Sequence, residues 1–375
     1  MLNLFFKSIL VFLFFFIIEY RVAVAAPDEQ IREDYITGYL STGYFPIKKF
    51  QPSEKPRFLS NKILNDNDKR TAEIAKNIFI KSDNNLSLLL LDKEKIILEI
   101  YKEGLSEKNK FFSYSMSKSL TSYTVGYALC NGFINNLNDK AKNYSDLLKD
   151  NVFGDASIQQ LLMMRSGANP PDQEGGSLNG EWREITTGST SISEILNKYG
   201  STKILPEKFS YNNSNTNALM LAVDGKINFA DFFEKSIWKK INAESESTWL
   251  IDRDKKIYAA AGFGASLKDW GKIAIHSIKM RNGSEGQCIS KFAQEAANGK
   301  IKIDELKHKN LNYGYQIWDW QTQLENKIYM WLGAYGQRVM VDPKNEKILV
   351  LFRNKNDYST SELISKFFLV WSQTN

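Results

Sequence analysis

The sequence predicts an α+β fold in which one antiparallel sheet is flanked by helices and carries an inserted helical lobe. Short apolar runs typical of strands occur near both ends of the chain, whereas residues 133–250 show helical patterns and polar loops with few convincing strands. The chain has 375 residues, which is enough to bury a large core. Its 43% hydrophobic and 25% charged content is ordinary for a globular protein and excludes a disordered or collagen-like chain.

The first 26 residues predict an export signal. Lys7 precedes an unbroken apolar run over residues 9–18, and small residues follow in Ala23-Val-Ala-Ala-Pro27. The run is about half of the roughly 20 residues that a membrane-spanning helix needs. We therefore predict a signal peptide over residues 1–26 and a periplasmic or secreted protein. The alternative is an uncleaved membrane anchor, which would be the chain's only contact with a membrane.

The remaining chain divides into an N-terminal arm and helix over residues 27–80 and a main domain over residues 81–375, with its helical lobe at about 133–250. The strands are predicted, in order, at residues 86–91, 96–101, 328–332, 338–341 and 348–352. The helices of interest are predicted at residues 68–80, 115–130 and 361–371, and a Pro- and Gly-rich loop at 169–180. Because the strands come from both ends of the main domain, one sheet should join the two ends beside the helical lobe.

Charge and cysteine content exclude several classes of protein. The net charge of +6 is modest, and the lysines are scattered among acidic residues rather than forming the basic stripe that nucleic-acid binding requires. Two Cys and two His are too few for a Cys-rich zinc module or a disulfide scaffold. Cys130 lies in an apolar helical run and is interpreted as a buried thiol, although a pair with Cys288 stays open. No metal and no cofactor are predicted.

Neither histidine has the surroundings of a catalytic base. His276 lies in a helical segment, His308 lies in a Lys-rich loop, and no Gly-x-Ser-x-Gly motif is present. We assign both histidines structural or solvated roles. A hydrolase built from this sequence would therefore have to use a base other than histidine.

Lysine can be that base, and the Ser-x-x-Lys spacing occurs at Ser115–Lys118 and at Ser236–Lys239. Ser236 lies in an amphipathic run whose lysines look like a solvated face. Ser115 follows a strand-like Phe-Phe pair and opens a helix of small residues, so Lys118 at i+3 should lie beside its hydroxyl. Burial lowers the pKa of a lysine, and the neutral amine can then accept the serine proton. The alternative interpretation is an N-cap serine beside a surface lysine.

Two further motifs could complete a site. Tyr211-Asn-Asn213 lies in an amide-rich loop before an apolar segment, where it offers a phenol and an amide. The run Gly333-Ala-Tyr-Gly336-Gln337-Arg338 lies between two predicted strands, where glycines let a ligand approach a strand edge. Taken alone, the first is an ordinary helix-capping loop and the second a tight hairpin.

In order and spacing, these motifs resemble the serine β-lactamase and penicillin-binding protein superfamily. The resemblance is strongest to its class C-like serine hydrolases, the esterases and 6-aminohexanoate-dimer hydrolases, and it covers residues 85–355. Two further segments match, 157–167 and 261–270. The resemblance implies a β-lactamase/transpeptidase-like fold and an acyl-enzyme mechanism.

By resemblance, Ser115 is the nucleophile, Lys118 its base and Tyr211 the proton relay to the leaving group. Asn213 matches the asparagine of the second motif. The backbone at Gly336 or Gln337 matches the strand edge that completes the oxyanion hole.

The third motif departs from the family, since Ala334-Tyr-Gly336 stands where a Lys or His followed by Thr-Gly is common. The missing cation argues against β-lactam or peptidoglycan substrates, unless Arg338 points into the cleft. Six aromatic residues surround this motif, either as core or as an acyl pocket: Tyr313, Tyr315, Trp318, Trp320, Trp331 and Tyr335.

The sequence thus predicts an exported serine hydrolase that acts on a small-molecule amide or ester. A D-Ala-D-Ala carboxypeptidase or class C-like β-lactamase is the alternative within enzymes. An inactive family member that acts as a binding protein is the alternative outside them.

Overall fold

The computed structural model describes residues 46–168, 185, 188–200, 208–302, 311–321 and 327–374. The predicted signal segment, the loop at 169–180 and His308 lie outside these residues. In the described residues the strands are β1 (Ile47–Phe50), β2 (Asn85–Asp92), β3 (Lys95–Tyr101), β4 (Phe111–Phe112), β5 (Ser247–Leu250), β6 (Phe263–Ala265), β7 (Ile301–Lys302), β8 (Leu311–Tyr313), β9 (Trp318–Trp320), β10 (Ile328–Leu332), β11 (Arg338–Asp342) and β12 (Lys347–Arg353). The α-helices there are α1 (Asp66–Phe79), α2 (Ser117–Cys130), α3 (Val152–Asp155), α4 (Ile158–Leu162), α5 (Ile192–Tyr199), α6 (Asn213–Asp224), α7 (Phe229–Phe233), α8 (Leu267–Arg281), α9 (Gln287–Ala296) and α10 (Tyr358–Ser372).

The main sheet has eight antiparallel strands in the order β3-β2-β12-β11-β10-β9-β8-β7. Strand β2, near the start of the main domain, pairs with β12, near its end. The prediction of an α+β fold whose sheet joins both ends of the domain is therefore confirmed. The predicted hairpin is β2–β3, whose turn residues Lys93 and Glu94 have positive φ angles, as a two-residue hairpin turn requires.

Helices cover both faces of this sheet, which explains why its central strands are apolar without interruption. Leu89 and Leu91 of β2 pack on the side of α8 and α2, while Leu88 and Leu90 pack on the side of α1 and α10. Because successive strand side chains point to opposite faces, burying both faces needs an apolar residue at every position. In the part of the chain described here, no helix is long and apolar enough to cross a membrane.

A second sheet of four short antiparallel strands, β1-β5-β6-β4, was not predicted. Its strands have two to four residues, too few for the period-two alternation by which a strand is recognised in a sequence. Their side chains are mostly buried. Trp249 in β5, for example, packs its indole against Phe233 and Phe263. The sheet matters for the site because β4 leads directly into Ser115.

Cys130 and Cys288 form a disulfide, so the interpretation of Cys130 as a buried thiol was wrong. Cys130 is the last residue of α2 and Cys288 the second residue of α9, and their Cα atoms are 5.8 Å apart. The two helices pack closely because Gly126 has no Cβ, which would lie 2.4 Å from the ring of Phe292. Local sequence could not show this contact, because the two cysteines are 158 residues apart.

Reducing this disulfide should lower the melting temperature by several degrees. A closed loop of this length restricts the unfolded chain enough to stabilise the fold by roughly 3 to 5 kcal/mol. Thermal unfolding with and without dithiothreitol measures the effect. The Cys130→Ser/Cys288→Ser variant is the control, because its melting temperature should be low in both conditions. An unchanged melting temperature in the reduced wild-type protein would contradict the cross-link.

Candidate active site

Ser115 lies in a single 3₁₀ turn, Tyr114–Met116, between β4 and the start of α2. Two contacts with β6 hold this turn in place. The Ser113 amide donates to the Phe263 carbonyl at 2.8 Å, and the Phe263 amide donates to the Ser117 hydroxyl at 3.2 Å. Ser115 is half-buried, so its hydroxyl is fixed by a rigid backbone and still reachable.

Lys118 points at Ser115, as the i,i+3 spacing predicts. Its Nζ lies 2.9 Å from Ser115 Oγ and 2.9 Å from the Ala260 carbonyl, and the side chain is buried, with 1% of the residue exposed. The Ala260 backbone is itself held, because its amide donates to the Asn217 side-chain oxygen at 3.3 Å. The amine is thus aimed at the serine by a fixed carbonyl, in a buried position.

Tyr211 reaches the same serine from the other side. It immediately precedes α6, whose N-cap is Asn212, and the adjacent Ser210 amide donates to the Met164 carbonyl at 2.9 Å. Its hydroxyl is close enough to Ser115 for that side chain to affect its pKa, and Lys118 Nζ lies 5.0 Å from its ring centroid. Burial raises the pKa of Tyr211 to about 12, against a smaller lowering by the bond to Ser115. The phenol therefore keeps its proton at neutral pH.

Asn213, the next predicted residue, is the first residue of α6. Its side-chain amide donates to the Tyr258 hydroxyl at 3.4 Å. Tyr258 begins the segment that includes Ala260, so Asn213 is tied to the segment that holds Lys118.

The third motif lies against the serine turn. A Cβ on Gly333 would lie 2.4 Å from the Ser113 carbonyl, so the close approach of β10 to this turn needs glycine. The Tyr335 ring meets the Tyr114 ring edge-on at 5.1 Å, and Gly336 has a φ angle of +90°. The Gln337 side chain is buried and pairs with the Arg353 backbone, so only its backbone amide is available to the cleft.

Arg338 points away from the cleft, which decides a question that the strand pattern left open. Its guanidinium donates to the Ser361 carbonyl at 3.1 Å and the Ser365 hydroxyl at 2.8 Å, both on α10. Burial and the charge of Arg353 lower the pKa of Arg338 to about 10, so it stays charged at neutral pH. This cation belongs to the opposite face of the sheet and cannot meet a substrate carboxylate.

Aromatic side chains form one wall of the cleft. The Tyr211 ring is stacked on Trp318 at 6.0 Å and meets Tyr313 at 6.1 Å. Trp318 and Tyr335 are partly exposed, whereas Tyr313, Tyr315 and Trp331 are buried. Three of the six aromatic residues near the third motif are therefore core. Of the other three, Trp318 lies against Tyr211 and Tyr335 against Tyr114, and Trp320 is also half-buried.

The alternative catalytic groups have ordinary structural partners. His276 is buried, its Nε2 lies 3.0 Å from the Tyr127 hydroxyl, and burial lowers its pKa to about 4. In the second Ser-x-x-Lys motif, the Ser236 hydroxyl donates to the Phe232 carbonyl at 2.6 Å, and Lys239 donates to the Pro52 carbonyl. Lys239 is also 3.5 Å from Glu234.

Two parts of the site were missed in the sequence. The Ala260 carbonyl has no side-chain signature, although the small-residue run Ala259-Ala-Ala-Gly262 is a weak signal of close backbone approach. Gln316 lies under the aromatic wall and was not singled out. No group of three or more His, Cys, Asp or Glu side chains that could hold a metal ion occurs within the described ranges.

Sequence comparison matches the chain to a known family. The Beta-lactamase family profile matches residues 84–364, which contain every site residue described above. The 6-aminohexanoate-dimer hydrolase of Paenarthrobacter ureafaciens is 20% identical over 299 residues, covering 73% of this chain and 74% of that protein.

Solved structures agree with the family match. A Bacillus anthracis protein assigned as a 6-aminohexanoate-dimer hydrolase superimposes with a TM-score of 0.72 at 19% identity, covering 93% of this chain and 95% of that one. A β-lactamase/D-alanine carboxypeptidase from Pseudomonas syringae gives a TM-score of 0.62 at 14% identity, covering 82% and 99%. This chain therefore belongs to the Beta-lactamase family and is a serine hydrolase of the amidase- and esterase-like kind.

Proposed function

We propose that this protein is an exported hydrolase that cleaves an uncharged amide or ester through an acyl-enzyme on Ser115. One observation carries the proposal: Lys118 Nζ lies 2.9 Å from Ser115 Oγ, and the Tyr211 side chain interacts with the same serine. A nucleophile within hydrogen-bond reach of a base, with a proton donor alongside, is the arrangement that acyl transfer requires.

In the acylation step, neutral Lys118 accepts the Ser115 proton as Oγ attacks the substrate carbonyl carbon. The carbonyl π electrons move to oxygen and form a tetrahedral oxyanion. When this intermediate collapses, the bond to the leaving amine or alcohol breaks. The leaving group takes the Tyr211 proton, and Tyr211 is reprotonated by the Lys118 ammonium. The serine proton thus ends on the leaving group.

Deacylation uses the same groups in reverse. A water molecule gives a proton to the neutral Lys118 amine, with the Tyr211 hydroxyl as relay, and its oxygen attacks the acyl carbonyl carbon. The tetrahedral intermediate then collapses by breaking the bond to Ser115 Oγ, which takes the proton back from the Lys118 ammonium. This step releases the acid. All protons balance, and the net reaction consumes one water for each bond cleaved.

The oxyanion is assigned to two backbone amides, those of Ser115 and Gln337. The turn at Ser115 precedes α2, and Gly333 brings β10 into contact with that turn. Two amides on rigid backbone stabilise developing charge better than flexible side chains, because they need no reorganisation. Gly336, with its φ angle of +90°, lets the chain turn into β11 at this point.

An uncharged acyl group fits this cleft best. Trp318 is stacked on Tyr211 and Tyr335 meets Tyr114, so both offer apolar surface beside Ser115, whereas the Arg338 guanidinium is held by α10. Apolar and aromatic surfaces favour flat or aliphatic groups and offer nothing to offset the desolvation of a carboxylate.

A fluorophosphonate probe and a labelled penicillin, applied side by side, test the proposal. We expect covalent labelling by the fluorophosphonate alone. Labelling by both would favour the second candidate, a D-Ala-D-Ala carboxypeptidase or β-lactamase. The Pseudomonas syringae protein, whose fold is similar to that of this chain, carries both of these names. Labelling by neither would favour an inactive family member that acts as a binding protein.

Replacing Trp318 with alanine should weaken binding of bulky acyl groups. The change removes the ring stacked on Tyr211, so KM for a p-nitrophenyl phenylacetate should rise by roughly tenfold, while KM for the acetate changes little. Trp320→Ala on the same strand is the matched control. Equal effects on both substrates would show that Trp318 does not select the acyl group.

Export is the remaining part of the proposal. The disulfide supports it, because structural disulfides persist in oxidising compartments. Protein recovered from cells should begin at Ala26 or Pro27, and N-terminal sequencing measures this directly. A persisting segment of residues 1–25 would favour a membrane anchor.

A further inference from the structure

We propose that Gln316 is a positioning residue that holds Tyr211 in register with the Ser115–Lys118 pair. The inference rests on the proposed function, because it concerns the proton that Tyr211 gives to the leaving group. Gln316 lies in the turn between β8 and β9, below the aromatic wall. It is 2% exposed, so it reaches the reaction only through its neighbours.

Gln316 joins three helices through hydrogen bonds. The Ser119 hydroxyl of α2 donates to its backbone carbonyl at 2.7 Å, and the Thr216 hydroxyl of α6 donates to its Oε1 at 2.8 Å. Its Nε2 donates to the Leu161 carbonyl of α4 at 3.3 Å. Both ends of the buried amide are therefore satisfied, which a buried polar side chain needs in order to be stable.

Two of these partners lie on the helices that position the site residues. Ser119 directly follows Lys118 on α2, and Thr216 lies on α6, which begins just after Tyr211. One residue thus sets the distance between the helix of the base and the helix of the proton donor. The Ser119 bond goes to the backbone and survives any change of the Gln316 side chain, whereas the bond to Thr216 does not.

The same turn also fixes the Tyr211 ring. Tyr313 and Trp318 flank Gln316 in sequence, and both contact Tyr211. Gln316 has a φ angle of +58°, in the left-handed region that non-glycine residues rarely adopt. Strained backbone of this kind persists where surrounding contacts determine it, and it is common at functional sites.

If Gln316 positions Tyr211, the loss of rate on changing Gln316 should depend on the leaving group of the substrate. A p-nitrophenolate leaves without a proton, whereas an alkoxide or an amine must be protonated as it departs. Displacing Tyr211 should therefore slow cleavage of a methyl ester or an amide while a p-nitrophenyl ester with the same acyl group is spared. A general loss of packing would lower both rates alike.

The test compares Gln316→Met and Thr216→Val with wild type. Both variants break the Gln316–Thr216 bond, one from each side, with little change of volume. For the methyl ester, kcat/KM should fall by about 10- to 100-fold, because small misplacements of reacting groups cost this much. For the p-nitrophenyl ester it should fall less than about threefold. Tyr211→Phe should show the same preference more strongly.

Thr124→Val is the matched control, because this buried threonine of α2 bonds only within its helix at Leu120. It should leave the ratio of the two rates at the wild-type value. If Gln316→Met does not fold, Thr216→Val still gives the answer. An unchanged ratio in a folded variant would overturn the role of Gln316 while leaving the proposed function intact. Absence of both activities in the wild-type protein would overturn the proposed function as well.

Discussion

Ser115→Ala should abolish both turnover and covalent labelling while the protein stays folded. Removing the nucleophile of a catalytic group that acts as a unit lowers kcat by on the order of 10⁵- to 10⁶-fold. The hydroxyl is half-buried and its loss opens no large cavity, so we expect stability to change by less than about 1 kcal/mol. Fluorophosphonate labelling, ester turnover and a melting curve measure these effects together.

The chain contains its own control for this experiment. Ser236→Ala changes the serine of the other Ser-x-x-Lys motif, whose hydroxyl is bonded to the Phe232 carbonyl. It should keep full labelling and turnover. Inactivation by Ser236→Ala, with a harmless Ser115→Ala, would show that the site has been assigned to the wrong serine.

Lys118→Arg should be nearly inactive although it keeps the positive charge. A guanidinium does not deprotonate under these conditions and cannot accept the Ser115 proton. General base catalysis contributes about 10²- to 10⁴-fold, so we expect a loss of that order. Single-turnover acylation by a p-nitrophenyl ester measures the step directly. Acylation at the wild-type rate in Lys118→Arg would contradict a lysine base.

The pH profile tests the same base in the wild-type protein. Activity should be lost as pH falls, because the ammonium form cannot accept a proton, and the midpoint should lie well below the roughly 10.4 of a free lysine. Tyr211 does not produce this acid limb, since its pKa is raised to about 12 and the phenol is protonated throughout. The midpoint of the acid limb therefore reports Lys118.

The histidine variant is the control for that profile. The pKa of His276 is lowered to about 4, so the buried imidazole is neutral where the enzyme should act. His276→Gln should leave the midpoint of the acid limb in place. A shifted midpoint in this folded variant would mean that the titrating base is not Lys118.

Much of the site follows from the sequence because its central pair is local. Ser115 and Lys118 are three residues apart on helical backbone, so secondary structure alone brings the amine to the hydroxyl. The β2–β3 hairpin and the late strands were predictable for the same reason, since turn residues and apolar runs are signals within a few residues.

Tertiary structure alone decided what depends on distant residues. Ser119 and Gln316 are 197 residues apart, and the two cysteines of the disulfide are separated by 158. No local pattern encodes such contacts, because they form only when helices and sheet pack. The direction of the Arg338 side chain could not be predicted either. Strand alternation places a side chain on one of two faces without saying which. The hydrogen bond of the guanidinium to α10 identifies the face. The residue types of the site could thus be predicted from the sequence, whereas the distant residues that they contact were determined only by the packing of helices and sheet.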